Sequence, residues 1–219
     1  MIKPIETYGV IAFDCDGVLL NSNEVKTRAF YETVLPFGKD VAEKFIAYHT
    51  QNGGISRYKK FAYFLEKLAP NHKKASLDEL LLTYAEKVVD GLLSCEIAEG
   101  LDKLAEKTTS SKWLVASGGD QNELRTVFKT RGLSHFFDLG VHGSPSTKEE
   151  IFQKHIVNSY PSSSVIFLGD SKYDFEASQK FNFDFLFISG WSEVSDKNAW
   201  CQTNDIVAVD SLMDLLKND

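Results

Sequence analysis

The chain is sparing with the residues that build secreted scaffolds, membrane spans and nucleic-acid grips. Three cysteines in 219 residues, Cys15, Cys95 and Cys201, are too few and too scattered for a disulfide framework or a zinc site, and their odd number fits reduced thiols. No run of about 18 apolar residues occurs, and the N-terminus lacks a basic stretch followed by an apolar core and a small-residue cleavage site. A cytoplasmic location without membrane contact is the expectation. Positive charge is also short: 24 Lys plus Arg stand against 31 Asp plus Glu, a net charge of −7, with no cationic cluster interleaved with aromatics. Nucleic acid is therefore not an expected partner, because backbone binding depends on neutralising phosphates. The short pairs Lys59-Lys60 and Lys73-Lys74 read as solvated faces. No internal repeat or low-complexity tract is present. What remains, 43% apolar, is a globular chain able to bury a sizeable core.

Short apolar, β-branched or aromatic segments recur at 10–13, 113–116, 138–141, 165–168, 185–188 and 206–209, and helical patterns at 121–130, 148–158 and 173–181 separate several of them. The alternation predicts an α/β fold, a doubly wound, mainly parallel Rossmann-like sheet with right-handed helical crossovers. Between the first two strands, residues 20–92 contain no convincing strand and show helical patterns at 22–34, 41–49, 56–68 and 77–93. An interval this long exceeds a simple crossover. It reads as a helical cap domain, residues 20–92, inserted in a core of residues 1–19 and 93–219, with hinges at 19–22 and 93–100.

The first strand, Val10-Ile11-Ala12-Phe13, runs into two carboxylates, Asp14 and Asp16, and then Gly17, which permits a sharp turn. Desolvating a carboxylate costs several kcal/mol, so two at the mouth of a sheet imply a counter-charge, most simply a divalent cation on oxygen ligands. Alternation turns Cys15 away from the pair, into packing. Asp170 and Asp174 follow Val165-Ile166-Phe167-Leu168-Gly169 and add two carboxylates four residues apart, a set that suits Mg²⁺. Ser117 ends another strand and precedes Gly118-Gly119 and a helix start near Asp120. Its hydroxyl and the glycine-exposed amides can hold an anion.

In order and spacing, Asp14-x-Asp16-Gly17-Val18, Ala116-Ser117-Gly118-Gly119, Lys148 within Gly143-Ser144-Pro145-Ser146-Thr147-Lys148, and Gly169-Asp170-Ser171-x-x-Asp174 resemble the four motifs of the haloacid dehalogenase-like hydrolase superfamily. The resemblance covers nearly the whole chain and points to the capped phosphatase and phosphomutase branch. It implies that Asp14 is a nucleophile forming an aspartyl-phosphate and that Asp16 is the general acid/base, its carbonyl also a metal ligand. Ser117, Gly118 and Lys148 would hold the transferring phosphoryl group. Mg²⁺ would sit on Asp14, Asp16 and Asp170, with Asp174 supporting the site. Gly54-Ile55-Ser56-Arg57 is similar to the cap loop of sugar phosphomutases, which would put Arg57 on a substrate phosphate. The resembling dehalogenases lack a carboxylate at the Asp16 position, so halide chemistry is disfavoured.

The expected activity is a Mg²⁺-dependent phosphatase of a small phosphate monoester, a sugar phosphate or phosphoglycolate-like compound. The alternative is a sugar phosphomutase of the β-phosphoglucomutase type, against which stands Lys26 where that type carries a His. A non-catalytic phosphate-binding regulator is a third reading, and a monomer or weak homodimer is expected. The five histidines show no metal-ligand spacing.

Overall fold

A computed structural model describes residues 2–70 and 75–217; His72 and the Lys73-Lys74 pair lie outside the described residues. Six strands, β1 (Val10–Phe13), β2 (Lys112–Asp120), β3 (Val141–Ser144), β4 (Val165–Gly169), β5 (Asp184–Ile188) and β6 (Val207–Val209), pair in parallel in the order β3-β2-β1-β4-β5-β6. The chain builds outward from β1 in one direction and then returns to build outward in the other. The crevice at that reversal lies beyond the carboxyl ends of β1 and β4, where doubly wound sheets place their ligands. Register aligns the elements of the site: Phe13 stands beside Val115 and Leu168, so Asp14, Ala116-Ser117 and Gly169-Asp170 follow side by side, β1 and β4 ending there while β2 runs on to Asp120.

Alternation sorts the central strands onto two apolar faces. Ile11, Phe13, Trp113, Val115, Ile166 and Leu168 face one core. Val10, Ala12, Leu114, Phe167 and Phe187 face the other.

Four helices follow β1 before the chain reaches β2: α1 (Asn23–Val34), α2 (Lys39–Gln51), α3 (Arg57–Tyr63), which continues as one π-helical turn (Phe64–Leu68), and α4 (Leu77–Ser94). In α4 the buried residues Leu80, Tyr84, Val88 and Leu92 repeat every four positions, while Ser76 and Glu79 close a capping box at its start. Phe30, Phe45, Phe61 and Tyr84 meet in the middle, with the Phe30 and Tyr84 ring centroids 4.3 Å apart. This aromatic centre packs the four helices together and is continuous with the apolar cluster on one face of the sheet. The remaining helices are α5 (Leu101–Lys107), α6 (Gln121–Thr130), α7 (Lys148–Phe152), α8 (Lys172–Lys180) and α9 (Lys197–Thr203). No described helix is long and apolar enough to cross a membrane.

Two local expectations shift. The third strand, read at 138–141, begins only at Val141, because Gly140 at φ +89° turns the chain first. The helix read at 148–158 is α-helical only to Phe152 and then widens into a π-helical turn over Gln153–Val157.

Candidate active site

The carboxyl ends of β1 and β4 and the starts of α7 and α8 bring four charges, Asp14, Asp170, Lys148 and Asp174, into one buried cluster. Lys148 is 1% exposed, with its Nζ 3.1 Å from Asp14 Oδ2 and in direct contact with Asp174 Oδ1. Thr147 places it there by capping α7 in a box with Glu150. Asp174 has a second duty, because its Oδ2 accepts from Ser171 Oγ (2.7 Å) and from the main-chain N–H groups of Ser171 and Asp170, closing the first turn of α8. Asp14 Oδ1 accepts from the Cys15 N–H at 2.7 Å, and Cys15 itself packs into the apolar core.

Asp170 accepts from Asn23 Nδ2 at 2.8 Å, and its carbonyl from Ser192 Oγ at 2.6 Å. Gly17, at φ +76°, leaves no room for a side chain here: a Cβ would lie 2.0 Å from Asp170 Oδ2. Carboxylate oxygens of Asp14, Asp170 and Asp174 lie within 4.8 Å of one another. Burial pushes both Asp14 and Asp170 above the usual carboxylate range, with Lys148 pulling Asp14 back and Asp14 pushing Asp170 further. One buried ammonium faces three buried carboxylates, and the deficit of positive charge together with the all-oxygen donor set fits a hard divalent cation such as Mg²⁺.

Asp16 turns the other way, toward the cap. Its Oδ1 accepts from Ser22 Oγ at 2.6 Å and its Oδ2 from Lys26 Nζ of α1 at 2.5 Å. Burial would raise this carboxyl, but the Lys26 ammonium and both hydrogen bonds outweigh it and hold Asp16 below the usual range.

The cap closes over these groups around a cavity of about 400 Å³, whose lining includes Asp14, Asp16, Lys26, Arg57, Gly118 and Asp170. Its loop descends far enough that a Cβ on Gly118 would lie 2.2 Å from the Gly54 carbonyl oxygen. Two further contacts join cap to core: the Arg57 fork is bound by the Glu123 carboxylate of α6, and Tyr58 Oη donates to Asp120 Oδ2 at 2.8 Å. Arg57 also lies over the Tyr84 ring, 4.5 Å from its centroid.

The family model for haloacid dehalogenase-like hydrolases matches residues 11–188, a span that runs from β1 to the end of β5 and holds every residue of this cluster. The chain belongs to that family. No curated protein sequence matches the hydrolase. Among solved structures it is similar to a predicted phosphatase from Clostridium acetobutylicum (18% identity, 96% of this chain and 97% of that one, TM-score 0.73). It is also similar to β-phosphoglucomutase from Clostridium difficile (17% identity, 93% and 91%, TM-score 0.70). A third likeness is CbbY from Rhodobacter sphaeroides in complex with phosphate (17% identity, 86% and 89%, TM-score 0.65). At these identities the likeness speaks for the fold.

The structure gathers Asp14 and Asp174 in contact with Lys148, and Asp170 within 4.8 Å of both carboxylates, while the Asp16 carboxylate is held by Lys26. Ser117 is fully buried within β2 and its Oγ accepts from the Gly119 N–H at 3.0 Å; the cap of α6 is Asp120. The cavity is lined by further residues that the sequence did not reveal, Asn23, His49, Lys60 and Glu193, with Glu123 holding Arg57 at its wall. Each is a polar residue on a helix or in a loop whose pattern fits a solvated face, and only the tertiary fold turns it inward.

Proposed function

We propose that the chain is a Mg²⁺-dependent phosphomonoesterase that cleaves a small organic phosphate through an aspartyl-phosphate on Asp14. The observation that carries this reading is the buried Lys148, poised on Asp14 Oδ2 and fixed from behind by Asp174. It aims one carboxylate oxygen into the cavity and leaves a cation beside it for the incoming phosphoryl oxygens. Asp14 Oδ attacks phosphorus, the ester P–O bond breaks, and the leaving alkoxide takes a proton from Asp16. Water then attacks the same phosphorus and gives a proton to Asp16, and the bond to Asp14 breaks to release phosphate.

Lys26 keeps Asp16 ionised in the free protein, so the proton it gives to the leaving alkoxide is taken up from solvent as substrate binds, and the one it gains from water returns to solvent when phosphate leaves. An arriving phosphate dianion opposes that effect and raises the carboxyl toward its acid form. Ser117 and Gly118, in the last half of β2, contribute donors. Asp14, the Asp16 carbonyl and Asp170 would hold Mg²⁺, with Asp174 as outer support because both of its oxygens are already engaged. When bound, the ion offsets carboxylate charge and polarises a phosphoryl oxygen. Residues 20–92 act as the cap domain, swinging on segments 19–22 and 93–100 to admit substrate and exclude water.

Phosphate release from a panel of sugar phosphates, phosphoglycolate and nucleotides, with and without Mg²⁺, tests the reading. Metal-dependent release that falls about 10⁴-fold in Asp14→Asn supports it. Turnover unchanged by Asp14→Asn refutes the mechanism. The likeness to β-phosphoglucomutase favours one second reading, a mutase, which isomerised sugar phosphate without net release would reveal.

A further inference from the structure

The cavity ends on a cation that the hydrolytic chemistry leaves unused. Lys60 of α3 is 2% exposed and lines the cavity together with Lys26 and Arg57. Lys26 and Arg57 each already hold an acid, Asp16 and Glu123 respectively. Lys60 has no carboxylate partner among the described residues. Its Nζ donates to His49 Nδ1 at 2.7 Å, approaches the His49 carbonyl at 3.4 Å and lies 5.5 Å from the Phe30 ring centroid, with no third hydrogen-bond acceptor among the described residues.

The hydrogen bonds that hold it run in one sense. Because Nδ1 of His49 accepts, Nε2 carries the proton and donates to Thr27 Oγ1 at 3.0 Å, and the Thr27 hydroxyl donates to Glu193 Oε1 at 3.1 Å. The relay Lys60-His49-Thr27-Glu193 thus crosses α3, α2 and α1 and ends on the loop after β5. Glu193 accepts from Thr27 at its end of the relay and does not reach Lys60 as an ion pair. Burial pushes the Lys60 ammonium down to about 7 and the His49 imidazole well below its ordinary value. A desolvated ammonium fixed in position without a counter-ion is costly to the free protein and gains most from an anion that enters with it.

We propose that Lys60 sets substrate specificity, its ammonium binding a second anionic group, carboxylate or phosphate, carried on the leaving-group side of the phosphate ester. This rests on the phosphomonoesterase reading and narrows it to esters with an anionic tail. Arg57 does not serve that tail in this closed arrangement, because its planar fork is already bound by Glu123.

Paired esters test the assignment: 2-phosphoglycolate against ethyl phosphate, and propane-1,3-diol bisphosphate against propyl phosphate. In one pair or both, kcat/KM for the anionic-tailed member is expected to exceed its neutral partner by about 30-fold or more. Lys60→Met should shrink that ratio at least about tenfold, mainly through KM, and Lys60→Arg should keep most of it. The pair that responds tells carboxylate from phosphate. A ratio near one in the wild type, or one that Lys60→Met leaves intact, overturns the proposal while the phosphomonoesterase reading stands. Calorimetry with Asp14→Asn needs neither turnover nor a Lys60 variant: tighter binding of the anionic-tailed member supports the site, and equal affinities refute it. That preference without phosphate release from any ester would keep the anion site and discard the phosphomonoesterase reading.

Discussion

Gly118→Ala probes the closed cap with a single methyl group. The added Cβ would lie 2.2 Å from the Gly54 carbonyl oxygen, 3.0 Å from the Gly54 carbonyl carbon and 3.4 Å from that of Ile55. All three are main-chain atoms, so no side chain can swing aside, and the cap loop must retreat by about 0.8 Å to restore even a tight contact. The same loop lies against Ser171 and Tyr173, close to Lys148 Nζ, so the retreat loosens the cavity where the phosphoryl group would be held. A misplacement near 1 Å costs on the order of 10²-fold in rate, about 2.7 kcal/mol in the barrier. On the hinged cap proposed above, the folded core is spared the roughly 1–3 kcal/mol of an overpacked interior. The expected signature is kcat/KM down about 100-fold with a melting temperature within a few degrees of wild type. Gly53→Ala is the contrast, since its Cβ would meet Ser171 Cβ at an ordinary 3.4 Å and should cost only a few-fold. If Gly118→Ala keeps kcat/KM within twofold, the closed cap described here is not the arrangement in which catalysis occurs.

Lys148→Met strips the buried carboxylates of their one ammonium and should destabilise the fold by about 3–5 kcal/mol, roughly 10 °C in the melting temperature. Added Mg²⁺ should recover part of that loss, and a melting temperature indifferent to both changes would contradict the charge balance of the cluster. Glu123→Gln releases one partner of the Arg57 fork, so amide exchange across α3 should quicken at least about tenfold. Unchanged protection would show that this pair does not hold the cap. For Lys60 the folded value, about 7, lies below the unfolded one of about 10.4. The unfolded chain therefore binds more protons between those values, and the Lys60 contribution to stability rises with pH. Wild type relative to Lys60→Met should gain about 1 kcal/mol from pH 6 to pH 8 in denaturant titrations. A flat or falling difference would mean that Lys60 is not buried as described.

The carboxylate floor of the cavity was legible in the sequence because strand ends are local: once 10–13 and 165–168 read as buried strands, Asp14 and Asp170 had to emerge at one edge of the sheet. The fold class and the four cap helices followed from the same apolar patterning. Helices α5 and α9 went unread for the opposite reason, since each has seven residues with one or two buried apolar positions, too few for a period to show. The contacts between cap and core were equally silent. Arg57 and Glu123 are 66 residues apart, and Thr27 and Glu193 are 166 apart. Nothing in the spacing of either pair could announce that one carries the other's charge, so Arg57 looked free for a ligand.

The Asp174 carboxylate joins two tasks that are usually separable. One oxygen closes the first turn of α8 and the other restrains Lys148, so this residue has no neutral exchange. Replacement by Ser or Asn would keep a helix cap and free the lysine, whereas Glu would keep the charge and overreach the turn. Any attempt to retune the phosphate site by altering the Lys148 environment thus also redraws where α8 begins. Engineering of this pocket has to work from the cap side, where side chains can be exchanged without unwinding the scaffold that presents Asp14.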